Sequence, residues 1–153
     1  MKKKGFTLVE LLAVIAILAI LVIIALPNVL GMFNDAKKST FNTEIQSIFK
    51  QAQTDFVQDS LELSGAQVYC KGLTIEGITC NNALQITTTK NYYVAMDSAG
   101  NITNIAVSDG SFVYAKTGTI SVTDIKKDDI QDASSNKLIK DSDGKIVVDS
   151  TTK

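Results

Sequence analysis

Three groups of residues have types and spacings that could do chemistry. The first is Glu10, a carboxylate at the mouth of an apolar run from Leu11 to Leu26. An ionised side chain near the centre of a membrane span costs roughly 2.5–3.5 kcal/mol on insertion scales, and less near its end, so Glu10 calls for a partner. Phe6 lies four residues earlier, one helical turn along the same face. A cut between Gly5 and Phe6 would create an ammonium one turn from the carboxylate. Within one chain that pair is a weak local contact. Between two packed chains offset by about a turn, each carboxylate could neutralise its neighbour's ammonium. A buried pair of this kind can select register more than it adds stability, and losing one member costs about 3–5 kcal/mol.

The second group is Cys70 and Cys80, ten positions apart in a Gly/Thr-rich stretch. Outside a membrane, an oxidised pair is the natural reading. Closing so short a loop contributes about 2.7 kcal/mol in the chain-entropy account. With two thiols and no His, metal binding is a poor alternative. The third group is Asp141, Asp143 and Asp149 around Gly144, which invites a calcium site. The EF-hand pattern lacks its third ligand before Gly144 and its closing Glu, so an Asp-Gly turn accounts for the segment with less.

Composition narrows the chemistry further. The chain has 153 residues, about one domain by length. All 15 basic residues are Lys, against 16 acidic residues, and His, Arg and Trp are absent. Without His there is no Ser-His-Asp or Cys-His catalysis. Without Arg there is no bidentate clamp on phosphate or carboxylate. The remaining Lys, Ser, Asp and Tyr show no catalytic spacing, so neither an enzyme nor a cofactor is expected.

The elements that must position these residues follow from periodicity. From Phe6 to Leu26 the chain is long enough for a helix of roughly 31 Å, the thickness of a bilayer core. Lys2, Lys3 and Lys4 precede it, which predicts a cytoplasmic amino terminus and an external remainder. The run is longer than an ordinary signal peptide and lacks a suitable Ala-x-Ala site. No Cys follows it closely enough for a lipoprotein signal. Pro27 and Gly31 are expected to kink or weaken the helix, or to end it.

From Asn34 the helical pattern resumes. Phe41, Ile45, Ile48, Ala52 and Phe56 form one stripe, which predicts an amphipathic helix to about Ser60 with its stripe against a sheet. With the span it could make one bent rod of about 80 Å. The expected segments are therefore 1–5 leader, 6–27 spanning helix, 28–60 amphipathic half and 61–153 β-rich head. Candidate strands are Leu84–Thr88, Tyr92–Met96, Ile102–Val107, Ser111–Lys116 and Thr119–Ile125. Asp97–Asn101, Ser108-Asp109-Gly110 and Thr117-Gly118 read as turns of an antiparallel meander. Alternation places Tyr92, Val94 and Met96 on one face and Tyr93 and Ala95 on the other. Leu138–Lys140 and Lys145–Val148 read as a last hairpin, and residues from about Ser150 as frayed.

Lys-Lys-Lys-Gly, then Phe6-Thr7-Leu8-Val9-Glu10, an apolar run and a terminal Pro resemble the N-terminal segment of a type IV prepilin. The resemblance covers Lys2 to about Asn34. The continuation Pro27-Asn28-Val29-Leu30-Gly31 and Asn34-Asp35-Ala36-Lys37-Lys38 is similar to prepilins of low-GC Gram-positive bacteria, and the all-Lys base usage agrees with an AT-rich genome. The resemblance implies that a prepilin peptidase cuts after Gly5 and that Phe6 becomes an N-methylated first residue. It implies that Glu10 pairs with a neighbouring subunit's amine during assembly, and that Pro27 and Gly31 mark a region that bends or melts in a filament. It also implies an α+β pilin fold, a long N-terminal helix packed on a small antiparallel sheet. A disulfide in the globular part is common in that family.

Three functions follow as expectations. The leading one is a pilin of a type IV pilus, polymerising through its helix into a surface filament for adhesion, motility or DNA uptake. Its partners would be other pilin subunits, the prepilin peptidase, the assembly machinery and the membrane, from which the precursor would leave for the cell surface. The second is a pseudopilin of a type II secretion or competence system, although competence pilins are usually shorter. The third is a membrane-anchored extracellular binding module. Removing the leader takes three Lys away and leaves every acid, so the mature chain is mildly acidic and no nucleic-acid grip is expected.

Overall fold

The computed structural model describes residues 7–62, 64–73, 75, 77–80 and 82–150. Residues 151–153, where fraying was expected, lie outside them. One helix, α1, spans Leu8–Asp59, with Pro27 inside it. By packing, the chain divides into a unit Met1–Lys37 and a unit Lys38–Lys153.

In the first unit every described residue is exposed. Leu8 to Leu26 is apolar around the whole helix apart from Glu10, and is long and apolar enough to cross a membrane. A helix apolar all round has no polar face to give to water, so it suits lipid or a protein interior. Helical geometry continues through Pro27 and Gly31. Exposed apolar side chains also continue past Leu26, at Val29, Leu30, Met32 and Phe33. They stop where the Lys37 ammonium sits 4.6 Å from the Phe33 ring centroid.

In the second unit α1 changes character. Phe41, Ile45, Ile48, Ala52 and Phe56 are all buried, joined by Phe49. They pack on a five-stranded antiparallel sheet in the order β1-β2-β3-β4-β5: Gln67–Lys71, Asn91–Met96, Ile102–Ser108, Phe112–Ile120 and Gln131–Asp132. Tyr69, Tyr92, Val94, Met96, Ile105, Val107 and Tyr114 face the helix stripe in one core. Each large apolar side chain buried there contributes about 1.5–3 kcal/mol. Tyr93, Cys70 and Ala106 point to the other face, under the hairpin of β6 (Lys137–Lys140) and β7 (Ile146–Asp149). The expected α+β architecture, the stripe and the β2 alternation are as observed.

The strand expectations need correction in four places. Gln67–Lys71 is a strand, paired with β2 from Gln67↔Met96 to Lys71↔Tyr92. Leu84–Thr88 is not a strand. Its backbone is held by side chains: the Leu84 N–H donates to the Tyr92 hydroxyl (2.8 Å) and the Gln85 N–H to the Asp55 carboxylate (2.7 Å). Thr117-Gly118 is not a turn. Ile102 pairs with Ile120 and Asn104 with Thr117, so the extra residues form a bulge in β4, with Gly118 at φ +96°. Thr119–Ile125 is not a separate strand, because β4 ends at Ile120 and Val122–Asp124 forms a 3-10 turn. There the Asp124 carboxylate accepts the Ser121 N–H at 2.8 Å and turns the chain aside.

Carboxylates close several turns. Asp97 Oδ1 accepts the N–H groups of Ala99 and Asn101, both at 2.9 Å. The Asp97–Asn101 turn rests against the end of α1, since a Cβ at Gly100 would come within 3.0 Å of the Phe56 ring. The Asn101 side-chain amide, then its backbone N–H, holds the Asp97 carboxyl below the usual range. The Ser121 backbone does the same for Asp124. A depressed carboxyl pKa contributes stability that is present above the unfolded value, about 3.9, and is lost as pH falls through the folded one. The head is therefore expected to melt at a constant temperature from about pH 7 to 5 and at a falling one below about pH 4. A melting temperature flat down to about pH 2 would contradict this role for the turns.

Candidate functional site

The polar residues of the first unit form one small constellation. Thr7 precedes the first helical residue, Leu8, so it stands at the N-cap, with Glu10 at the third helical position. The Thr7 N–H donates to Glu10 Oε2 at 2.8 Å, and the Thr7 hydroxyl donates to the same oxygen at 2.7 Å. In return the Glu10 N–H donates to Thr7 Oγ1 at 3.3 Å. The Leu11 N–H reaches the Thr7 carbonyl at 3.2 Å and closes the first turn. This is a reciprocal capping box, in which side chains satisfy backbone donors that the helix itself cannot.

The box accounts for an acid at the edge of an apolar helix within a single chain. Its carboxylate lies at the positive end of the helix dipole and accepts two hydrogen bonds from Thr7, three residues earlier. Thr7 belongs to the prepilin-like motif of the sequence, which assigns it no role of its own. Its signal was present, a Thr-x-x-Glu spacing directly ahead of an apolar run. Gly5 and Phe6, the expected cleavage and methylation positions, lie outside the described residues. Pro27 and Gly31 lie well along the same helix, and a Cβ on Gly31 would meet nothing within 4 Å.

In the second unit Cys70 and Cys80 are joined in a disulfide. Cys70 is 8 % exposed and Cys80 lies at the surface. Asp141 closes the last hairpin, its Oδ1 accepting from Asp143 N–H (3.0 Å) and Lys145 N–H (2.8 Å). That use is the ordinary Asp-Gly turn, and no group of three acidic or Cys residues that could hold a metal occurs among the described residues. The Lys90 ammonium lies 3.1 Å from Glu44 on α1 and 3.4 Å from Asp109 in the β3–β4 turn. Burial works against its charge, but the Glu44 and Asp109 carboxylates outweigh that and raise its pKa. It is a structural tie between helix and sheet. Burial likewise raises the Tyr69 and Tyr114 hydroxyls, helped at Tyr69 by a 2.8 Å hydrogen bond to Asp59.

Grooves of this unit include one of about 230 Å³ between Ser47 and Ile86–Thr89, one of about 300 Å³ between Leu73, Val113 and Leu138, and one of about 430 Å³ along Lys116, Asp128 and Asp129, where the Lys116 ammonium sits 3.2 Å from Asp129. None of these three joins a Lys and a carboxylate to a Ser, Thr or Cys.

Among protein families, the model described as the prokaryotic N-terminal methylation motif matches residues 1–26. That range contains the expected leader, the capping box and the whole apolar run from Leu11 to Leu26. No curated protein and no solved structure matches the chain.

Proposed function

We propose that this chain, a type IV prepilin-like protein by its methylation motif and its helix-on-sheet architecture, is a structural subunit of a surface type IV pilus. One observation carries the reading: a wholly exposed, all-round apolar stretch of α1 from Leu8 to Leu26, with a single carboxylate at its mouth, lies within a methylation motif. The apolar run supports membrane insertion of the precursor. A prepilin peptidase cuts between Gly5 and Phe6, and Phe6 is methylated on its new amine. Glu10 then exchanges its Thr7 contacts for a neighbouring subunit's amine as the helices pack into a filament. Insertion and assembly are driven by apolar surface that has no partner within one chain. Extension and retraction fall to separate ATPases. The size of the head, Lys38–Lys153, favours a pilus subunit over a shorter competence pseudopilin.

Mass spectrometry of material sheared from intact cells tests this. The expected result is an abundant peptide that begins at N-methylated Phe6. Absence of the protein from the sheared fraction, with processed chain in the membrane, would make it a pseudopilin. An uncut Gly5–Phe6 bond would leave a membrane-anchored module.

A further inference from the structure

We propose that the Cys70–Cys80 disulfide is a redox-sensitive latch over the outer edge of the sheet. β1 is the terminal strand, paired on its inner side with β2. On its outer side the Cys70 N–H donates to the Asn82 carbonyl (3.1 Å), and the Asn82 N–H donates to the Val68 carbonyl (3.3 Å). Asn82 thus lies beside Tyr69 as a one-residue parallel bridge and covers the edge. The disulfide ties the chain down two residues before that bridge.

Among the described residues, the other ties named on this segment are spaced away from the bridge. Lys140 Nζ holds the Gly77 carbonyl at 2.9 Å, and Tyr92 and Asp55 hold the N–H groups of Leu84 and Gln85. At Asn82 itself the side-chain amide reaches Asp59 only at 3.5 Å. Two backbone hydrogen bonds at a solvent-facing edge exchange readily with water, so the covalent tie keeps the cover in place.

The two sulfurs differ in access. Cys70 packs with Tyr93, Ala106 and Ile146, whereas Cys80 is at the surface. A dithiol reductant therefore attacks Cys80 Sγ through its thiolate. The protein S–S bond breaks, a mixed disulfide forms on Cys80, and Cys70 leaves as a thiolate that takes up a proton. The reductant's second thiol then displaces Cys80, giving two protein thiols and one oxidised, cyclic reductant. Cys70 stays packed as a small apolar side chain. Cys80 swings away with Asn82, and the Cys70 N–H loses its Asn82 partner, which leaves a donor on the strand edge for another strand.

Hydrogen exchange on the full chain in detergent micelles tests the latch in oxidised, dithiothreitol-reduced and reoxidised states. Peptides covering 68–71 are expected to exchange at least about tenfold faster on reduction and to recover on reoxidation, while β3 and β4 stay unchanged. Brief alkylation during reduction is expected to mark Cys80 ahead of Cys70. The double variant Cys70→Ala/Cys80→Ala is expected to show the same local opening without reductant. Unchanged exchange at 68–71 with both thiols free, equal acceleration across β2–β4, or a disulfide that resists dithiothreitol in the folded chain would each overturn the proposal.

Discussion

Glu10→Ala is expected to leave a processed, membrane-held chain and to cut the yield of surface filaments by at least about a hundredfold, the lower end of the scale set by leaving one buried ammonium unpaired at about 3–5 kcal/mol. The alanine removes two things at once: the charge offered to a neighbour and the acceptor of the Thr7 box. Two further variants separate them. Glu10→Gln keeps an acceptor for the Thr7 N–H, because Gln also serves at this position of a capping box, but it has no charge. Thr7→Val removes the hydroxyl and leaves the carboxylate with the Thr7 N–H. If pairing between subunits drives assembly, Gln fails like Ala and Val assembles at near wild-type yield. Filament counts by electron microscopy, normalised to processed chain in the membrane, give the comparison. Filaments restored by Gln and lost in Thr7→Val would show that the helix cap, and not the ion pair, is the requirement.

What the sequence made legible were features with a local period. The stripe from Phe41 to Phe56 repeats at helical spacing, and all five of its residues are in the core. Tyr92 to Met96 alternates at strand spacing, and its two faces enter two different clusters. The misreadings share another cause. Leu84–Thr88 has strand-like composition, but side chains take its backbone donors: Asp55, far back on α1, and Tyr92 on β2. Gly118 marks a positive φ without telling a bulge from a turn. Gln67–Lys71 becomes a strand through β2, which begins only at Asn91. The candidate site divided in the same way. Glu10 stands out because a charge in an apolar run violates a composition rule, whereas Thr7 violates none, and its place in the motif does not reveal its role as a cap. The disulfide followed from counting Cys, but its seat over the β1 edge depends on Asn82 folding back onto Tyr69.

Asn104→Leu is expected to destabilise the head by about 3 kcal/mol, near 10 °C in melting temperature for a unit of this size. Asn104 is 2 % exposed, in the middle of β3 on the face away from α1. Its Oδ1 accepts the Ile146 N–H at 2.7 Å, and its Nδ2 donates to the carbonyls of Ile146 and Lys116, both at 2.9 Å. The amide therefore supplies β7 with the paired donor and acceptor that a neighbouring strand would give. β6 and β7 form a separate two-stranded sheet, and an isolated hairpin is marginal in water, so this side chain, with the buried Ile146, the half-buried Leu138 and the Lys140–Gly77 contact, holds it to the unit. Leucine fills a similar volume but orphans one N–H and two carbonyls, each worth about 1–3 kcal/mol when left buried and unmet. Asn104→Asp keeps the shape and sets a carboxylate against two carbonyl oxygens. At neutral pH it is expected to cost more than leucine, about 3–5 kcal/mol, as an uncompensated buried charge does. Thermal melts with hydrogen exchange over 137–149 measure both effects. A Leu variant that melts within about 2 °C of the wild type would show that apolar contact alone seats the hairpin.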